Sequence, residues 1–173
     1  MPENGSRGAA AILVVEDDEN LRMIISDRLT NMGYRVCQAA SLKKAFEKLD
    51  RESCQLVLLD IFLPDQSGLE GLKKIRSFFP SMPVLVMTAH GTIDMAVEAM
   101  REGAYEFVTK PLDFKRLEVL VHRAIESFQL RTAVDYLRRA ADEPFTLIIG
   151  ERTGLRSVVQ LVRQVSDSDS TVL

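Results

Sequence analysis

The sequence predicts an α/β fold: a doubly wound, five-stranded parallel sheet followed by a C-terminal helical extension. Three observations carry that prediction. AILVV (11–15), QLVLL (55–59) and PVLVM (83–87) are continuous apolar runs of strand length, the pattern of parallel strands covered on both faces. Segments with helical spacing fill the gaps, so strand and helix alternate five times. Acidic or polar residues follow the apolar runs, where an open α/β sheet places its ligands.

Taken in order, the first strand at 11–15 leads into a helix marked by Leu21, Ile24, Ile25, Arg28, Leu29 and Met32, with Arg28 the polar intruder. Asp18 precedes it as a helix-capping carboxylate. YRVCQA (34–39) alternates, as an edge strand does, and Leu42, Ala45, Phe46 and Leu49 mark the second helix. The third strand runs straight into Asp60, with Pro64 and Gly68 close behind in LVLLDIFLPDQSG. A carboxylate is costly to desolvate and rarely closes an apolar run without a partner or a task. A shorter helical pattern then passes through Leu69, Leu72 and Ile75. After the fourth strand, Ile93, Ala96, Val97 and Met100 recur at i, i+3, i+4 and i+7 between Gly91 and Gly103. YEFVTK (105–110) is the second edge-type strand. Leu117, Leu120, Val121, Ala124, Ile125 and Phe128 mark the last helix, opened by Asp113 as N-cap.

This alternation occupies residues 11–128. Residues 1–10 read as a loose polar leader, without the apolar core of a signal peptide. Residues 129–143 continue as a charged linker helix until Pro144 ends it. Residues 144–173 offer one apolar run, a turn and an amphipathic helix, too little for a core of their own, and so read as the start of a further domain. A net charge of -3 gives no electrostatic footprint for nucleic acid. No apolar run reaches the roughly 20 residues of a membrane helix, so a soluble, cytoplasmic protein is expected. Cys37 and Cys54 are expected as small buried hydrophobes in a reducing compartment, and His90 and His122 are too isolated for zinc. Leu130, Val134, Leu137 and Ala141 are spaced four, three and four apart, the rhythm of a coiled-coil seam, which points to a homodimer.

The chemistry gathers at the strand ends. Glu16 and Asp17 stand at the carboxyl end of the first strand and Asp60 at that of the third, while Thr88 ends the fourth and Lys110 the fifth. If the strand order is 2-1-3-4-5, the first and third strands are neighbours and their carboxylates converge on one pocket. Clustered carboxylates raise one another's proton affinity unless a cation sits among them, and a few hard oxygen ligands suit Mg²⁺. Thr88 and Lys110 add donors for an anion beside the metal, and the whole set suits phosphoryl transfer to a carboxylate. Any one of these residues alone reads as a solvent-facing strand end; all of them together read as a site.

ILVVEDDENLR, LVLLDIFLPDQSG, VLVMTAHG and AYEFVTKP resemble the four signature segments of bacterial response-regulator receiver domains, over about residues 11 to 128. The resemblance implies a flavodoxin-like receiver with strand order 2-1-3-4-5, in which Asp60 accepts a phosphoryl group from a sensor histidine kinase. It implies that Glu16 and Asp17 position Mg²⁺, with Asp17 ahead as direct ligand and the Phe62 carbonyl as backbone ligand. Thr88 resembles the hydroxyl that follows the phosphoryl group, Lys110 its ion-pair partner, and Lys110–Pro111 falls where the family has a cis peptide. Phe107 stands at the family's switch aromatic, and reads equally as a core residue of an edge strand. Phe62 and His90 flank the path of a hydrolytic water, which implies slow self-dephosphorylation.

The segment LIIGERTGLRSVVQLVRQVSDSDSTVL resembles the first residues of the AAA+ domain in sigma-54-dependent transcription activators of the NtrC type. GERTGLR is no P-loop, because Leu155 and Arg156 stand where Gly and Lys are needed. The expectation is therefore a regulator, not an enzyme beyond its own phosphorylation and dephosphorylation. It would reach sigma-54 RNA polymerase and DNA only through domains outside this sequence, and no membrane. The alternatives are a receiver in a phosphorelay or with another output, and a stand-alone aspartyl-phosphate phosphatase. The phosphatase is set back by Phe62, where the haloacid-dehalogenase type wants an acid.

Overall fold

The computed structural model describes residues 9–89 and 91–142. The leader at 1–8, His90 and the AAA+-like segment at 144–173 lie outside the described residues. The chain divides into two units, Met1–Val134 and Asp135–Leu173, and of the second only the end of one helix is described.

The elements are β1 (Ala11–Val15), α1 (Glu19–Asn31), β2 (Arg35–Ala39), α2 (Leu42–Arg51), β3 (Leu56–Asp60), α3 (Gly68–Phe78), β4 (Val84–Thr88), α4 (Ile93–Arg101), β5 (Glu106–Thr109) and α5 (Phe114–Asp142). All strand pairs are parallel and the order is β2-β1-β3-β4-β5. The expected sheet is the observed one.

Every residue of β1, β3 and β4 is buried, as strands covered on both faces must be. Alternation along β1 sends Ile12 and Val14 toward α1 and α5, where Ile25, Leu29, Val121 and Ala124 meet them. Leu13 and Val15 face the other way, onto Leu42, Ala45, Leu72 and Ile75 of α2 and α3. Each such fully buried Leu or Ile contributes about 1.5–3 kcal/mol, so the two cores outweigh anything the surface supplies. Helix starts are set by side-chain caps. Asp18 accepts from the Leu21 amide at 3.0 Å, and Asp113 Oδ1 from those of Lys115 and Arg116 at 3.0 and 3.2 Å.

Asp60 and Thr88 end β3 and β4, as expected. Three details depart from the sequence reading. β5 closes at Thr109, so Lys110 stands one residue past the strand it was expected to end. Arg28 is no intruder in the buried face of α1: it reaches outward, with Nε 3.3 Å from Glu118 Oε1 and its guanidinium over the Phe114 ring. The buried polar residue of that helix is Ser26, whose hydroxyl donates to the Arg22 carbonyl at 2.6 Å. In α4 the apolar stripe is largely the uncovered face: Ile93, Val97 and Met100 are 82%, 43% and 46% exposed, while Ala99 is buried and Met95 packs on the core. Periodicity marks an apolar face without saying what covers it.

Candidate functional site

The ladder brings the strand-end residues together. Glu16 follows β1 directly, and its amide donates to the Ala39 carbonyl at 3.1 Å. Asp60 ends β3 in register with Met87, and the next amide, that of Ile61, donates to the Met87 carbonyl at 3.0 Å. Thr88 ends β4 fully buried, and the Lys110 amide donates to its carbonyl at 2.7 Å. Lys110, just past β5, is thereby fixed beside the β3 end, and the Lys110–Pro111 bond is cis.

From there the Lys110 ammonium lies 2.7 Å from Asp60 Oδ2 and 2.7 Å from Glu16 Oε2. The other Asp60 oxygen, Oδ1, accepts the Phe62 amide at 3.2 Å. One carboxylate oxygen each from Glu16, Asp17 and Asp60 lies within 4.8 Å of the others, with Glu16 and Asp60 buried and Asp17 exposed. Burial pushes the Glu16 carboxyl up to about 7; Asp60 adds to the shift and Lys110 opposes it. Lys110 stands above its ordinary value: its burial works downward, but the hydrogen bond to Asp60 and the charges of Asp60 and Glu16 outweigh it. Glu16 Oε2 is buried and, although at ion-pair distance from Lys110, takes no well-aligned hydrogen bond. A buried carboxylate oxygen so placed among two other carboxylates fits a hard divalent cation.

Of the residues assigned to the strand-end site, Glu16, Asp17, Asp60, Phe62, Thr88 and Lys110 are among the described residues and His90 is not, and the carboxylates and Lys110 converge. Phe107 lies half-buried on β5 and packs against the core shared by α2 and α3. Cys37 and Cys54 share that core as buried free thiols, and burial, followed by the proximity of Cys37, pushes Cys54 up to about 12. Such thiols are inert, as expected of small hydrophobes.

Arg22 and Asp65 escaped the sequence reading, and Gly68 was noted there without a role. Arg22 Nη1 donates to the carbonyls of Glu16 and Asp17 at 2.6 and 3.2 Å, holding the acidic turn from α1. Its place six residues after Glu16 carries no signal of its own, since the contact exists only once α1 has turned. At Gly68, a Cβ would overlap the Asp60 carbonyl oxygen and lie 2.6 Å from the Ile61 Cα, so the backbone after Asp60 closes on α3 only over a glycine. Asp65 reaches the first amides of α2.

Strand order, winding and carboxylates at the switch point define a protein of the receiver class. The family model described as the response regulator receiver domain matches residues 12–122, and the chain belongs to that family. Among curated relatives, the transcriptional regulatory protein ZraR of Klebsiella oxytoca is 37% identical over 162 residues, covering 94% of this chain and 36% of that protein. NtrX from Brucella abortus, crystallised with ADP, superposes with a TM-score of 0.71 at 31% identity, covering 94% of this chain and 35% of that one. The beryllofluoride-activated NtrC4 receiver domain dimer matches 68% of this chain and 98% of that one, with a TM-score of 0.66 at 33% identity. The chain therefore spans about a third of the length of the longer relatives. Among the described residues, no helix is long and apolar enough to cross a membrane.

Proposed function

We propose that this chain is the phosphorylation-controlled receiver of a cytoplasmic sigma-54-dependent transcription activator, with Asp60 accepting a phosphoryl group from a sensor histidine kinase. The observation that carries it is the placing of Asp60: buried at a strand end, held by Lys110 on one oxygen and by the Phe62 amide on the other. In the transfer, an Asp60 oxygen bonds to phosphorus, the bond from phosphorus to the kinase imidazole breaks, and the leaving nitrogen keeps the electron pair. Asp17, Glu16, Asp60 and the Phe62 carbonyl would hold Mg²⁺, which supplies charge neutralisation for the transferring group. Lys110 would stay with the phosphoryl oxygens and Thr88 would follow them. With Mg²⁺ present, acetyl phosphate should add one phosphoryl group by intact mass; chelation of the metal should abolish it. Labelling that persists without metal would remove the Mg²⁺ role.

The output reading rests on the tail segment at 144–173, which lies outside the described residues, and on the regulators that the chain resembles. Residues 11–128 would be the receiver and 129–143 the linker to that output. A homodimer is the expected assembly. Leu130, Val134 and Leu137 on α5 are 62%, 44% and 65% exposed, and Ile93, Val97 and Met100 leave a second apolar surface on α4. The side chain of Ala141, the fourth residue of the seam, lies outside the described residues. Burying such stripes against a second copy removes them from water. By light scattering at micromolar concentration the chain should be dimeric, and Leu130→Lys with Leu137→Lys should weaken the dimer at least tenfold, the effect of roughly 1.4 kcal/mol. A monomer in both phosphorylation states would remove the assembly claim.

A further inference from the structure

The loop from Ile61 to Ser67 is closed at its base. The Gly68 amide donates to the Ile61 carbonyl at 2.7 Å, and Phe62 and Ser67 form an antiparallel bridge. Its far end is held from outside. Asp65 Oδ1 accepts the Leu42 amide at 3.2 Å, and Asp65 Oδ2 accepts the Lys43 amide at 3.1 Å. These amides begin α2, where a helix leaves its N–H groups without internal partners and where its dipole favours an anion. They hold the Asp65 carboxyl below its ordinary value although its burial works the other way.

The helix already has a cap from its own lead-in, since Ser41 Oγ accepts the Lys44 amide at 3.4 Å. Asp65, 23 residues away from Leu42, takes two further amides of the same turn, and by doing so it fixes the loop to α2. On the other side, Lys74 Nζ donates to Gln66 Oε1 at 3.0 Å and ties the loop to α3. The loop carries Phe62, whose amide holds Asp60 Oδ1 and which is itself 51% exposed; Leu63 beside it packs on the core, and from Pro64 to Ser67 the loop is exposed, so there the ties of Asp65 and Gln66 hold it.

We propose that Asp65 is a positioning residue for the metal site, fixing the Phe62 backbone by tying its loop to the N-terminus of α2. The inference rests on the reading of Glu16, Asp17, Asp60 and the Phe62 carbonyl as the Mg²⁺ ligands. Groups one layer behind metal ligands typically change affinity 10–100-fold when removed, and Asp65, acting through backbone, belongs at the low end.

The test uses Mn²⁺ as the probe, with free ion followed by its paramagnetic resonance signal, alongside urea midpoints and amide exchange at Leu42 and Lys43. Asp65→Ala should raise the Mn²⁺ dissociation constant roughly tenfold. Asp65→Asn, which keeps the shape and one acceptor, should raise it about threefold, between that value and no change. Ser41→Ala removes the other cap of the same helix; it should lower the urea midpoint and leave Mn²⁺ affinity within about twofold, the size of no lost ligand support. Asp17→Asn tests the underlying reading: if the wild-type chain binds no Mn²⁺, or Asp17→Asn binds it equally, the metal assignment itself fails. If Asp17→Asn loses the ion while both Asp65 variants keep wild-type affinity, Asp65 is only a helix cap. Equal weakening by Ser41→Ala and Asp65→Ala would overturn the proposal too, because α2 stability and not the loop would then govern the site.

Discussion

Asp60→Asn should leave the fold intact and abolish phosphorylation completely, against one phosphoryl group per chain for the wild type under acetyl phosphate and Mg²⁺. The side chain is 4% exposed and pinned on both oxygens, by Lys110 at 2.7 Å and the Phe62 amide at 3.2 Å. Asparagine has nearly the same shape and can keep an oxygen toward one of these donors, so packing survives. What it loses is the charge. A neutral amide oxygen is a poor nucleophile, offers a metal less, and gives Lys110 one carboxylate instead of two. Glu16 is engaged with Lys110 and buried, which leaves the exposed Asp17 as the rival acceptor in the cluster. Intact mass followed by peptide mapping separates the cases. Full labelling of the Asn variant, wherever it maps, would sink the assignment of Asp60; circular dichroism matching the wild type shows that a loss is chemical.

The residues that sequence could place are those whose role is fixed by short-range pattern. LVLLD announces its own strand because both faces of β3 are covered, and the acid at its end stands out for the same reason. The lines through Leu117, Val121 and Ala124 worked because α5 lies along the sheet and buries that face. The pattern through Ile93, Val97 and Met100 is equally periodic, yet α4 contacts the core through Met95 and Ala99 and turns most of that face outward. Which face is covered depends on the tilt of the helix over β4 and β5, and nothing in its own nine residues encodes that. The site divides in the same way. Glu16, Asp60 and Lys110 were legible because strand ends in a parallel sheet must meet at one edge. Arg22 and Asp65 were not, because each acts on backbone of another element, and a carbonyl or amide leaves no mark in the sequence. Cys37 and Cys54 show the same limit: their proximity follows from how β2 and the lead-in to β3 share one face.

In the metal-free protein, stability should fall as pH rises from about 4.5 to about 7, and Glu16 should be the cause. Burial, with Asp60 alongside, raises its carboxyl from 4.5 to about 7 in the folded chain. Across that window the folded state keeps a proton that the unfolded state has released. The contribution is therefore complete below pH 4.5 and gone once the pH passes 7. At about 1.4 kcal/mol per unit, the change amounts to about 3 kcal/mol. Asp65, shifted down from 3.8, acts with the opposite sign and on the acid side, so it does not enter this interval. Lys110 is raised from 10.5 and titrates well above it. Urea unfolding in the presence of a chelator, at steps of pH between 4.5 and 7.5, measures the slope. Glu16→Gln cannot release a proton and should flatten it. Excess Mg²⁺ should reverse it, because the cation binds the deprotonated cluster and gains affinity as the proton leaves. A flat wild-type profile, or the same slope in Glu16→Gln, would show that the buried carboxylate does not hold its proton near neutrality. Lys110 would then be sufficient counter-charge for both Glu16 and Asp60, and the cluster would gain nothing on that account from a divalent ion.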